Sequence, residues 1–348
     1  MKIKRYILIS ALFLFNFAYA CTDFILVDEE KNIVIGRSMD CRLPLDYEIV
    51  IVPKNQKKIS QLENNEKGMS WTSKYAYIGI TILNSELLVD GMNEKGLSMD
   101  ALWFADSKYP ANITKNENTL ALEDISNWIL GSFANVDEVK EGLKKVNFWV
   151  HYINQAQNVP KMHFAFHDKA GKSIALEFID GKMEVIDNPV GVLTNSPKLD
   201  WQMKNLGNYI HLSAYNRDAV QVNGTIITPD EQGTGLLGMP GDWTSPSRFV
   251  KIAYIKSFAK PAKNALENTN LAFHILNVVD IPYGLIRPAK DRKDLEYTQW
   301  ISVKDLSNLK LFYRTYNDMN VYSIDFLTEL KKLKDQKIKI PMNGTKKV

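Results

Sequence analysis

Cys21 carries the strongest chemical signal in the chain. It follows Ala18-Tyr19-Ala20, which has small residues at the two positions a signal peptidase reads. Before it come Lys2, Lys4 and Arg5 and an almost unbroken apolar run from Tyr6 to Phe17. That run is too short for a comfortable membrane span. Residues 1–20 therefore read as an export signal, and cleavage after Ala20 leaves a cysteine as the first residue. One residue then holds a thiol and a free α-amine, a nucleophile and a base within bonding reach. An unperturbed thiol has a pKa of about 8.5 and an α-amine one of about 7.7–8.0, so the amine is able to take the thiol proton near neutral pH.

Two other fates compete for Cys21. A lipoprotein signal also ends before a cysteine, but it usually carries leucine where this chain has Ala18. The only other cysteine is Cys41, and an exported chain with two cysteines invites a disulfide. Cysteine counting alone leaves that pairing open.

Arg37 and Asn195 stand where apolar strands end. The alternation Ile33, Ile35, Arg37 puts Arg37 on the face of the two isoleucines, a costly place for a charge without a partner. Asn195 ends Gly191-Val192-Leu193-Thr194 in the same way. Asp40 and Arg248 are further polar candidates. Two other patterns are weak. Gly233 to Gly238 spells G-x-G-x-x-G, but Met239-Pro240-Gly241 would break the helix that a dinucleotide site requires. His163 and His167 share a face of a strand-like segment with no metal-site spacing around them.

The elements that must position these residues follow in order. Asp23–Asp28 and Asn32–Arg37 read as a hairpin, and Glu48–Pro53 as a third strand. Asn55–Gly68 reads as a loop. Strands follow over Tyr75–Leu83, Leu87–Gly91 and Leu97–Phe104. The spacing of apolar residues predicts a helix over Thr119–Leu130, and a capping box at Asn135 and Glu138 starts a second. Short strands resume from Lys161 to Thr194, with a short helix at Trp201–Tyr209. Ser245-Pro246 predicts a helix with serine as cap and proline at its first position, and Leu266–Val279 predicts another. Strands at Trp300–Val303, Leu309–Tyr313 and Val321–Asp325 close the chain. This order predicts an α+β fold with helices outside two sheets, and one domain over residues 21–348.

Apolar residues make up 45% of the 348 and aromatics 11%, enough to fill a core. The net charge is +3, and three of the positive residues lie in the export signal. That balance predicts no nucleic-acid partner. No later stretch is apolar for long enough to anchor the chain in a membrane.

Together the motifs Cys21-Thr22, Gly36 to Asp40, Asp90 to Leu97, Leu193 to Pro197, Gly233 to Leu236 and Gly241 to Phe249 resemble the choloylglycine hydrolase family, the bile salt hydrolases and penicillin V acylases. The likeness runs from Cys21 to about Asp325. It implies a four-layer αββα sandwich of two antiparallel sheets, of the N-terminal nucleophile hydrolase type. It implies hydrolysis of a non-peptide C–N amide bond in a small N-acyl amide, without cofactor or metal. Cys21 would be nucleophile, Asp40 would orient its amine, Arg37 would favour thiolate, Asn195 would donate to the oxyanion, and Arg248 would complete the cluster. Where relatives carry asparagine or tyrosine this chain has Trp103. Its backbone N–H would still serve the oxyanion, but its side chain changes the pocket wall. Tryptophan there resembles acylases that accept penicillin V or acyl-homoserine lactones, so penicillin V stands first, with bile salts and acyl-homoserine lactones as alternatives and an exported binding protein or lipoprotein on the same fold as the non-enzyme alternative. Phe24 and Trp103 are expected to face an apolar acyl group. The family likeness also implies a homotetramer built through the loop after the asparagine motif.

Overall fold

The computed structural model describes residues 20–111, 113–152, 159–287, 289–290, 295–333 and 336–342; the expected export signal, apart from Ala20, lies outside the described residues. The chain opens with β1 (Ala20–Val27), β2 (Ile33–Asp40) and β3 (Glu48–Val52). A small ribbon of β4 (Lys57–Gln61) and β5 (Lys67–Thr72) follows where a loop was expected. Next come β6 (Tyr77–Ile82), β7 (Leu87–Asn93) and β8 (Leu97–Trp103). β9 (Thr119–Ala121) precedes helices α1 (Ile125–Ser132) and α2 (Val136–Leu143). β10 (Asn147–Trp149), β11 (Met162–Asp168), β12 (Ser173–Ile179), β13 (Lys182–Asp187) and β14 (Val192–Leu193) lead to α3 (Leu199–Asn205). An outlying hairpin of β15 (Val220–Val222) and β16 (Thr225–Ile227) precedes α4 (Ser245–Phe258) and α5 (Ala265–Asn277). β17 (Thr298–Asp305), β18 (Lys310–Thr315), β19 (Asp318–Asp325), α6 (Phe326–Lys332) and β20 (Ile338–Pro341) finish it.

Two antiparallel sheets carry the fold. One runs β14-β1-β2-β17-β18-β19, the other β13-β12-β11-β8-β7-β6-β3-β20. Helices α4 and α5 cover the outer face of the first sheet, and α1 and α2 cover the second. This is the αββα order. It explains why Phe24-Ile25-Leu26 and Ile33-Val34-Ile35 are unbroken apolar runs: β1 and β2 are buried on both faces, one by helices and one by the other sheet.

Local chemistry sets the helix ends. Asn135 accepts from the Glu138 N–H at 2.9 Å and Glu138 reaches back to Ala134 N at 2.8 Å, a cap worth roughly 1 kcal/mol. The helix expected from Thr119 starts only at Ile125, because Thr119–Ala121 pairs with Asn147–Trp149 as a strand. At α4 the cap position is Thr244, not Ser245, and Pro246 lies in the first turn. The Ser245 hydroxyl is used elsewhere, as shown below. Residues 233–238 form an irregular turn with Gly233 at φ +88°, not a nucleotide loop.

Candidate active site

Strand pairing assigns each side chain near Cys21 to a face. Cys21 lies opposite Met39, Asp23 opposite Arg37, and Ile25 opposite Ile35, so these point between the sheets. Thr22, Phe24, Ser38 and Asp40 point to the helix layer. The Cys21 Sγ sits 3.7 Å from Met39 Sδ and is 2% exposed. Phe24, expected at the acyl wall, is instead buried on the far face of β1, its ring against Gly36. Alternation is the reason: positions 21 and 24 cannot share a face of one strand.

In this form Ala20 still precedes Cys21, so the Cys21 nitrogen is a peptide N–H. It stands in for one N–H of the free α-amine that the expected cleavage after Ala20 would leave. It donates to Asn195 Oδ1 at 2.9 Å, while Ala20 N donates to Glu296 Oε1 at 2.8 Å. β14 pairs Leu193 with Asp23 and so carries Asn195 to the start of β1. Ser245 Oγ holds that loop. It accepts from Asn195 N at 2.8 Å and lies 2.9 Å from Thr194 Oγ1.

Arg248, in the first turn of α4, binds several groups at once. Its Nε donates to Trp243 O at 2.9 Å, its Nη1 to Thr22 Oγ1 at 2.7 Å and to the Cys21 carbonyl, and its Nη2 to Asn195 Oδ1 at 2.5 Å. Asn195 Oδ1 thus has two donors, which turns Nδ2 toward the Trp103 carbonyl at 2.8 Å. Phe104 N bonds Lys161 O across the ladder, so Trp103 and Met162 form a non-hydrogen-bonded pair. The main-chain N–H and C=O of Trp103 therefore both point away from β11, toward the loop of Asn195.

Behind the sulfur lies a charged interior. Arg37 Nη2 donates to Ala101 O at 2.7 Å; its Nε is 3.9 Å from Asp90 and its Nη1 3.7 Å from Asp100. Lys304 Nζ reaches Asp100 Oδ1 at 2.6 Å and also binds Asp90, which accepts from the Ser302 hydroxyl as well. His167 Nε2 lies 2.7 Å from Asp23 Oδ1, and His163 lies between Glu177 at 3.1 Å and the Thr194 carbonyl at 3.0 Å.

Burial pushes the Cys21 thiol up; Arg37, and more weakly Arg248, pull it back without reversing the shift. Arg37 therefore acts in the expected direction, but burial outweighs it. Burial also drives Asp40 up to about 7, against the pull of Arg248 and of its bonds to Thr298 Oγ1 at 2.5 Å and Ser38 Oγ at 3.0 Å. Burial opposes charge on Asp23, but His167, Lys304 and Arg37 outweigh it and hold its carboxyl low. Asp90 and Asp100 are raised by burial, with Lys304 offsetting part.

Five of the residues singled out in the sequence, Cys21, Arg37, Asp40, Asn195 and Arg248, thus surround the first residues of β1. Asn195, rather than Asp40, takes the Cys21 N–H in this form. Cys21 and Cys41 are both free and buried, so no disulfide joins them. Sequence reasoning missed Asp23, Asp90, Asp100 and Lys304, and weighed His167 only as half of a metal pair. Their signal was a charge in phase with one face of an apolar strand, as in Leu88-Val89-Asp90 or Ile301-Ser302-Val303-Lys304.

Two facing antiparallel sheets between helix layers, with this cluster at the start of the first strand, are the fold of the N-terminal nucleophile hydrolases. The chain belongs to the choloylglycine hydrolase family of linear amide C–N hydrolases, whose family model matches residues 21–339. It is 33% identical over 315 residues to a bile salt hydrolase/transferase of Clostridium perfringens, covering 89% of this chain and 93% of that protein. It is 27% identical over 329 residues to a penicillin V acylase of Pectobacterium atrosepticum, covering 88% and 81%. A crystal structure of a variant of the conjugated bile acid hydrolase from Clostridium perfringens superposes with a TM-score of 0.79 at 29% identity, over 94% of this chain and 99% of that one.

Proposed function

We propose that this linear amide hydrolase uses Cys21 as an N-terminal nucleophile, exposed when an export signal is removed after Ala20. The observation that carries this is the convergence of Asn195 and Arg248 on the Cys21 main chain beside its thiol. The α-amine takes the thiol proton as Sγ attacks the amide carbonyl carbon. A C–S bond forms and the carbonyl π pair moves to oxygen. That oxyanion receives the second N–H of Asn195 Nδ2, whose first is held by Trp103 O, together with the Trp103 main-chain N–H. Collapse breaks the C–N bond and the α-ammonium returns its proton to the leaving nitrogen. Water then attacks the thioester, freeing a carboxylate and restoring the thiol.

A conjugated bile salt is the first substrate reading. The likeness to the Clostridium perfringens enzyme, at 33%, exceeds that to the penicillin V acylase, at 27%, and supports placing bile salts ahead of the order drawn from Trp103. Penicillin V remains the second reading because of that same residue. The test is hydrolysis of glycocholate, penicillin V and an acyl-homoserine lactone by protein whose intact mass begins at Cys21. Failure on all three, or equal activity with Ala20 retained, sinks the reading.

A homotetramer is part of the proposal. The β15–β16 hairpin, between Asn195 and Arg248 in sequence, stands off the body with Val220, Val222, Ile226 and Ile227 all exposed. Such an apolar patch fits a protein partner of the same kind.

A further inference from the structure

From Cys21 to its end at Val27, β1 spans roughly 20 Å at ~3.3 Å per residue. At its far end a cleft of about 580 Å³ opens at the edge of the sandwich, within the usual size of a small-molecule site. Ile25, Leu26 and Val27 of β1, Ile174 of β12, Val190 before β14 and Leu271 of α5 form its apolar wall.

Two polar groups in this cleft stand out. Asn268 of α5 lines it and is 1% exposed, yet among the described residues neither its Nδ2 nor its Oδ1 has a hydrogen-bond partner. Buried polar atoms are nearly always paired, so an unpaired amide in a cavity wall points to a ligand. Lys256 of α4 lines the same space, its Nζ held by the carbonyls of Val190 at 2.8 Å and Gly191 at 3.2 Å. A Cβ at residue 191 would lie 3.1 Å from that Nζ and 2.3 Å from Ile25 Cγ2, and Gly191 has φ +61°, so glycine alone permits the approach. Two rim cations are matched already: Lys140 with Asp187, and Lys172 with Asp137. The polar bonds of Lys256 go to neutral carbonyls instead, and burial lowers its ammonium to about 8.

We propose that this cleft is a second binding site, remote from Cys21, for an apolar monocarboxylate. Its carboxylate would receive N–H groups from Asn268 Nδ2 and Lys256 Nζ, and its hydrocarbon body would cover the wall of β1, β12 and α5. Asn268 Oδ1 would bond a water that the carboxylate brings with it. The site does not depend on the reaction at Cys21.

Decanoate is the probe, with decanol as its uncharged counterpart. Calorimetric titration of processed enzyme and of its Cys21→Ala form is expected to give one decanoate site in both, with decanol at least about tenfold weaker. Asn268→Leu and Lys256→Met should each weaken decanoate about tenfold or more while amide hydrolysis stays within about twofold. Asn268→Leu should also raise the Tm of the unliganded protein, because it removes an unpaired buried amide. On unmodified protein, decanoate should protect Lys256 from acetic anhydride, read by peptide mass. The proposal is overturned by no binding up to the solubility limit. Binding that both variants leave intact and that amide substrate displaces would also overturn it, by moving the site to Cys21. Equal labelling of Lys256 with and without decanoate would do the same.

Discussion

Arg248 Nη2 donates to Asn195 Oδ1 at 2.5 Å, across 53 residues of chain, and the same oxygen takes the Cys21 N–H at 2.9 Å. An amide whose oxygen is doubly engaged cannot rotate its nitrogen away from the side where the proposed reaction would place the substrate carbonyl. Asn195→Ala should therefore lower kcat by roughly 10²–10³, the usual loss of one oxyanion donor, with a much smaller change in KM. Arg248→Met should also lower kcat, through loss of Asn195 orientation. A fall confined to KM for either variant would contradict this role.

Cys21→Ala should abolish turnover while leaving Tm within a few degrees, since among the described residues the thiol's hydrogen-bond partners are a methionine sulfur and the Asp40 N–H. Cys41→Ser separates the two thiols. Cys41 is fully buried and, unlike Cys21 in the proposed processed form, has no α-amine of its own to take the proton that burial holds on its thiol, so it is expected neither to attack nor to alkylate. That variant should keep its hydrolysis rate within about twofold, and one rapid iodoacetamide adduct per chain should remain, at Cys21.

The hairpin of β1 and β2 was legible because its apolar residues leave no other reading, and Arg37 was legible because it breaks their phase. The charges it meets were not. Asp90 and Lys304 bond across 214 residues of chain, and each alone reads as a solvated end of a strand. Phe24 was misplaced for a related reason. In a strand buried on both faces every residue looks like core, and only the pairing with Gly36 shows which layer it fills. Ser245 matched a cap by type, but its hydroxyl holds Asn195, which no local pattern reveals.

Lys304 is fully buried between two carboxylates. Lys304→Met would leave Asp90 and Asp100 with Arg37 as their remaining cation, at 3.7–3.9 Å. Breaking a buried pair in this way costs about 3–5 kcal/mol. The loss should shrink as the pH falls, because both carboxyls are already raised and protonation relieves their repulsion. Urea unfolding at pH 5 and pH 8 checks this. Lys304→Met/Asp90→Asn should recover part of the loss at pH 8; no recovery would mean that packing, not charge, sets it.

The exposed hairpin predicts its own phenotype. Ile226→Lys with Val222→Lys should convert the proposed tetramer to smaller species by light scattering, with Tm changed by no more than a few degrees in dilute protein. Both positions are exposed, at 70% and 52%, so neither supports the core. An unchanged mass would remove the hairpin from the interface.

Asp40 gives the clearest dependence on pH. Its folded pKa is about 7, raised from 3.8 by burial. A raised carboxyl stabilises the fold fully below its unfolded value and loses that contribution as pH rises through the folded one. Three units correspond to about 4 kcal/mol at most, spread between about pH 4 and pH 7. Asp40→Asn cannot ionise, so its stability should fall less than that of the parent between pH 5 and pH 8. The proposed processing adds a second lever. A free α-ammonium at Cys21 favours the Asp40 carboxylate and lowers its pKa, so the parent's slope should be smaller after cleavage than with Ala20 retained. Urea unfolding of both forms across that range reads the effect. Equal slopes would mean that Asp40 does not sense the amine, and its orienting role would fall with that result.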